Sequence, residues 1–130
     1  MPSARIGASQ IAGLYKRSSS KYHNQKVEVD GIKFDSKHEA ERWCELKLLE
    51  KKHEILYLQR QVSFELIPKQ LDERGKVIER AVKYVADFVY LDHDGNLVVE
   101  DAKSPITRTD AYLLKRKMML KYKGIRIKEV

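Results

Sequence analysis

The sequence predicts a mixed α/β fold of the α+β kind, with the element order αβββαβ and a small hairpin in front. Three observations predict it. Two stretches, Ala40 to Leu49 and Leu113 to Leu120, carry apolar residues at helical spacing. Three strand-like runs lie between them, separated by the turn sequences Asp72–Gly75 and Asp92–Asn96. A last short β-rich run, Ile125–Val130, follows the second helix. The order implies a mixed central sheet flanked by helices.

Each element has its own local cause. In Lys26–Phe34, Asp30-Gly31 between alternating residues favours a type I′ hairpin turn. Ser36-Lys-His-Glu39 has capping-box spacing and opens a helix that should run to about Lys52 through Ala40, Trp43, Leu46 and Leu49. Tyr57–Ile67 reads as a strand that ends before Pro68. Val77–Leu91 reads as a long strand region, bulged near its start, and Leu97–Lys103 as the next strand. Pro105 stops it; Thr107 or Thr109 can cap the second helix, and Gly124 stands where a C′ residue belongs. Residues 1–24 have scattered basics, Ser18-Ser-Ser20 and no periodicity, so a flexible basic tail is expected before a single domain over 25–130.

Composition narrows the function. The 130 residues suit one domain, and 42% hydrophobic content gives a modest core. No run approaches the roughly 20 apolar residues that a spanning helix needs. Met1-Pro-Ser-Ala-Arg5 lacks a signal-peptide pattern, and the lone Cys44 gives neither an internal disulfide nor a metal cluster. A cytoplasmic protein without a membrane partner is expected. Charge placement is more telling than the net +7. No acid precedes Glu28, while Arg5, Lys16, Arg17, Lys21 and Lys26 do. Asp110 alone opposes the basics of 108–128, which include Arg108, Lys115, Arg116 and Lys117. A polyanion is the partner such a chain suits, and nucleic acid is the commonest.

The chemistry-bearing segment is Tyr84–Lys103. Asp87 interrupts an apolar strand, and Glu100-Asp101-Ala-Lys103 ends the next. Strand parity puts Asp101 and Lys103 on one side and Glu100 on the other. An unpartnered carboxylate inside a strand is costly, so Asp87 needs a metal or a lysine beside it. Two carboxylates converging from adjacent strands suit Mg²⁺, with Mn²⁺ able to substitute. Lys103 could then hold an attacking water or stabilise charge on a phosphate. The plain alternative is ion pairing at a strand end. Asp92–Gly95 reads as a hairpin turn, since a calcium loop would need its glycine at Leu97 and its closing Glu at Lys103. His38 and His53 read as surface residues, and Trp43 and Cys44 as core. Lys115 is either a phosphate contact or a solvent-facing lysine.

Four segments together resemble the PD-(D/E)XK nuclease superfamily, with its restriction-endonuclease-like fold. They are Phe34-Asp-Ser-Lys-His-Glu39-Ala-Glu-Arg-Trp43, Tyr84-Val-Ala-Asp87-Phe, Val98-Val-Glu-Asp101-Ala-Lys103 and Thr109-x-x-Tyr112-x-x-Lys115. The chain is similar in particular to small phage and prophage endonucleases of Holliday junction resolvase type. The resemblance spans roughly residues 25 to 128 and departs at Ala86, where the motif has proline. It implies a Mg²⁺-dependent endodeoxyribonuclease, acting on branched DNA as a homodimer of phage or prophage origin. It implies Asp87 and Asp101 as metal ligands, Lys103 as the catalytic lysine and Glu39 as a further metal-site acid. A helix cap is the competing role for Glu39. DNA phosphates would be held by Lys16, Arg17, Lys21, Arg108, Lys115 and Arg116. The alternative is a non-catalytic nucleic-acid-binding protein with a nuclease-like fold.

Overall fold

The structure is a computed structural model that describes the backbone of residues 15–18 and all of residues 26–104 and 106–130. Its contacts divide the chain into two compact units, Met1–Leu58 with Leu91–Asn96, and Gln59–Tyr90 with Leu97–Val130.

The first unit holds a three-stranded antiparallel sheet and the first helix. Strand β1 is Tyr15–Ser18, β2 Lys26–Val29 and β3 Ile32–Phe34, in the order β1-β2-β3. The hairpin is the expected one: Asp30 at φ +50° and Gly31 at φ +81° supply the positive dihedrals of a type I′ turn. Strand β1 is a departure, because the tail expected over 1–24 contains four residues paired with β2, Tyr15 opposite Val29. Alternating burial along β2 puts Val27 and Val29 inside. Helix α1, Lys37–Lys51, starts where Ser36 Oγ accepts from the Glu39 N–H at 3.1 Å. Its buried face is Ala40, Trp43, Cys44 and Leu46, and Trp43 meets Phe34 at a ring-centroid distance of 6.1 Å. Burial raises the Cys44 thiol pKa, as expected of a core cysteine.

The second unit is built on a four-stranded mixed sheet, and the αβββαβ order stands. The strands are β4 (Leu56–Ile67), β7 (Val82–Leu91), β8 (Leu97–Asp101) and β9 (Lys128–Glu129), in the order β4-β7-β8-β9, with β8 and β9 parallel. The first residues of β4 and the last of β7 belong to the other unit. The expected Val77–Leu91 strand is split. Strands β5 (Gln70–Leu71) and β6 (Val77–Glu79) form a separate hairpin, and Arg80-Ala81 break the run before β7. Asp72 closes that hairpin by accepting the N–H groups of Arg74 and Lys76, both at 2.9 Å. Helix α2, Asp110–Met118, is capped by Thr109, whose Oγ1 accepts from the Tyr112 N–H at 3.1 Å. A π-helical turn, Met119–Lys123, extends it to Gly124 at φ +67°. The core of this unit joins Leu66, Tyr84, Ala86, Val89, Val99, Tyr112, Met119 and Ile127. No helix among the described residues is long and apolar enough to cross a membrane.

Candidate active site at the end of strand β8

Strand β8 ends at Asp101, two residues earlier than the sequence predicts, yet the chain stays tied to β9. The Val130 N–H donates to the Asp101 carbonyl at 3.0 Å, and the Lys103 N–H donates to the Val130 carbonyl at 3.1 Å. Both side chains therefore project from a fixed backbone. Lys103 Nζ lies 3.1 Å from Asp101 Oδ1, so the expected pairing on one side is present. Glu100 has different partners: Tyr90 donates its hydroxyl to it, and Lys128 Nζ is 3.9 Å away. Parity thus assigns Asp101, not Glu100, to Lys103.

Asp101 is buried, at 2% exposure, and a buried carboxylate requires donors. Besides Lys103, it accepts the Tyr84 hydroxyl from β7 at 2.5 Å. Burial, and then that bond to Asp101, hold the Tyr84 pKa far above its ordinary value of 10.0, so the hydroxyl stays a donor. Asp87 reaches the same segment from β7. Its Oδ2 accepts the Ala102 N–H at 2.8 Å, and Gln61 Nε2 from β4 donates to its Oδ1 at 3.4 Å. Gln61 sits in the left-handed region, φ +54°, a local departure from strand geometry. Two of the partners of Asp87 are thus neutral N–H donors.

The Lys103 ammonium has a second neighbour. It lies 4.3 Å from the centre of the Tyr112 ring on α2, within cation–π range. Tyr112 is held in turn by Glu129, which accepts its hydroxyl at 3.1 Å. Burial and that bond raise the Tyr112 pKa. Glu129 also receives Arg116 and Arg108, each at 2.6 Å. The Arg116 hydrogen bond is the main reason its carboxyl pKa lies below the usual range. Tyr84 and Tyr112 stand in the motif segments quoted above but with no role assigned by the sequence, and Glu129 is a site-forming residue that the sequence alone does not single out. The available signal was an aromatic with a polar end beside a buried acid.

Tyr84, Asp101, Lys103 and Tyr112 line a cleft of about 280 Å³ whose walls also include Lys83 and Lys115. Of the residues expected to act together, Asp101, Lys103 and Lys115 line this cleft, while Asp87 reaches the adjoining backbone at the Ala102 N–H. Arg108 and Arg116 are committed to Glu129. Lys16 and Arg17 fall on β1, and Lys21 lies outside the described residues. Glu39 belongs to the first unit, where it is buried in the first turn of α1 and its N–H carries the cap.

No group of three or more His, Cys, Asp or Glu side chains placed to hold a metal occurs among the described residues. The donor set at the β8 end nevertheless fits Mg²⁺. That ion binds through one or two carboxylates and keeps its waters. Each Asp101 oxygen has one donor and retains a lone pair, and Asp87 lies across the neighbouring strand.

Replacing Tyr84 with Phe tests the buried bond. It strips Asp101 Oδ2 of its donor and should cost about 1–3 kcal/mol of stability. The alkaline limb should change as well. The unfolded tyrosine ionises near its ordinary value of 10.0 while the folded one stays protonated. Its contribution is therefore complete below that pH and is lost as pH rises above it. Urea unfolding of chelator-treated protein across this range should show a slope shallower in Tyr84→Phe by up to about 1.4 kcal/mol per pH unit. Identical slopes in the two proteins would discount the bond.

Fold and site together define an α+β protein with an acid–lysine–tyrosine cluster at the carboxyl end of a central strand. Residues 19–130 match the family described as a protein of unknown function, DUF1064, and the chain belongs to that family. No curated protein and no solved structure gives a significant match.

Proposed function

We propose that the protein is a Mg²⁺-dependent endodeoxyribonuclease of PD-(D/E)XK type. The observation that carries this reading is the buried Asp101 paired with Lys103 at 3.1 Å, beside Asp87 on the neighbouring strand. A purely structural ion pair needs neither the second carboxylate nor an open cleft with Lys83 and Lys115 on its walls.

Asp101 and Asp87 would hold the metal, which when bound supplies Lewis acidity and an activated water. Lys103 would stabilise negative charge gathering on the phosphate, and Lys115 would position the scissile strand. Water attacks phosphorus, the P–O ester bond breaks, and the leaving oxygen takes a proton. No covalent enzyme intermediate is required. Glu39 is proposed as a further metal-site acid on the family resemblance alone. Branched DNA, with a four-way junction the best single choice, is proposed as substrate, and a homodimer as the acting form, on the same ground. A cytoplasmic site of action in a phage-infected or lysogenic bacterial cell accords with that.

The second reading is a non-catalytic nucleic-acid-binding protein. The donors already seated on Asp101 and Asp87 favour it, because a metal would have to share those oxygens. One assay separates the two. Labelled four-way junction, linear duplex and supercoiled plasmid are incubated with Mg²⁺ and, in parallel, with chelator. Metal-dependent cleavage that prefers the junction is the expected result. Binding of all three without cleavage of any would leave only the second reading. Equal cutting of junction and duplex would remove the resolvase assignment and keep the nuclease.

A further inference from the structure

A second basic cleft, of about 350 Å³, lies on the other flank of α2 and is lined by Arg116, Lys117, Leu120, Arg126, Ile127 and Glu129. Its one acid is already taken up by Arg108, Arg116 and the Tyr112 hydroxyl. Lys117 and Arg126 are exposed, and no acid among the described residues pairs with either. The cleft therefore presents two uncompensated cations. A lysine kept only for solubility would sit as well on a convex surface.

The placement of the two clefts gives this one its meaning. Lys115 lines the cleft of Asp101 and Lys103, and Lys117 lines the second. Residues two apart on an α-helix point about 200° apart. Between them α2 turns its exposed side outward, with Leu114 on it, while Tyr112 faces the core. A helix with side chains is about 10–12 Å across, and the major groove of DNA is about 12 Å wide. A helix with a cationic cleft on each flank fits such a groove with one phosphate backbone on either side.

We infer that the Lys117–Arg126 cleft binds the phosphodiester backbone of the uncut strand, with α2 lying in the groove of duplex DNA between that strand and the scissile one. This rests on the proposed nuclease function in one respect, that the cleft of Asp101 and Lys103 receives the scissile strand. It makes duplex DNA, as in the arms of a junction, the recognised form, and single-stranded DNA a ligand of one cleft only.

The test is binding in chelator, which reads the second cleft whether or not the protein cuts. Full-length protein is titrated by fluorescence anisotropy against a duplex and one of its single strands, over a range of salt. The double variant Lys117→Ala/Arg126→Ala should lower the slope of log affinity against log salt for duplex by about 1.8, or about 0.9 for each phosphate that is no longer neutralised. Its slope for the single strand should not move. The two single variants should each give about half the change, so the result does not depend on the double variant folding. Unaltered duplex slopes in the single variants, or equal losses on duplex and single strand, would overturn the second site. Cleavage by the wild type together with that negative result would leave the proposed nuclease standing.

Discussion

Lys103→Ala should reduce Mg²⁺-dependent cleavage by about 10²–10³-fold, the usual effect of deleting one preorganised charge-stabilising group. The case rests on how firmly this ammonium is held. It touches Asp101 Oδ1 at 3.1 Å, lies over the Tyr112 ring at 4.3 Å, and only 18% of its side chain is exposed. Its backbone is fixed by the bond to Val130. A lysine so constrained cannot serve as a mobile surface charge, and its position relative to a phosphate in the cleft is set beforehand. The fold should survive, because Asp101 keeps the Tyr84 hydroxyl. Loss of the ion pair should cost about 1–3 kcal/mol. Single-turnover cleavage at saturating DNA, with urea unfolding as a parallel measure, separates the two effects. A variant that cuts at the wild-type rate would show that Lys103 is only a counter-ion for Asp101.

What the sequence made legible was local. Ser36 and Thr109 as caps, Asp30-Gly31 as a type I′ turn, and Asp92–Asn96 as a hairpin turn are all decided within about four residues, where side chain and backbone compete for the same hydrogen bonds. Parity along one strand also carried far enough to separate Asp101 from Glu100. Contacts between elements were not legible. The Tyr84–Asp101 and Tyr112–Glu129 bonds each span 17 residues, and no periodicity encodes which hydroxyl meets which acid. Glu129 gave no signal at the end of the chain, although it takes up two of the arginines expected on DNA. The split of Val77–Leu91 was missed because strand propensity does not reveal where a strand changes sheets. Strand β1 was missed because its pairing partner, not its composition, makes it a strand.

Asp101→Asn should abolish Mg²⁺-dependent activity, by about 10³-fold or more, while unfolding nothing. The substitution keeps the shape of the side chain and removes only its charge. Its amide can still satisfy both neighbours: the oxygen toward Lys103, and the NH₂ toward the Tyr84 oxygen, which can accept. Stability should therefore fall by no more than about 1–3 kcal/mol. A neutral amide is a far poorer Mg²⁺ ligand than a carboxylate, so metal affinity should fall with activity. Mn²⁺ binding followed by its paramagnetic effect on water relaxation reads this without any DNA. The double variant Asp101→Asn/Lys103→Ala then carries the decisive comparison. Groups that act as one catalytic unit lose their effect together, so the double variant should be about as inactive as Asp101→Asn alone. If the two residues served only as a salt bridge, the non-additivity would appear in the unfolding free energies and no cleavage would be there to lose. Coupling in rate as well as in stability is what a site built around this pair requires.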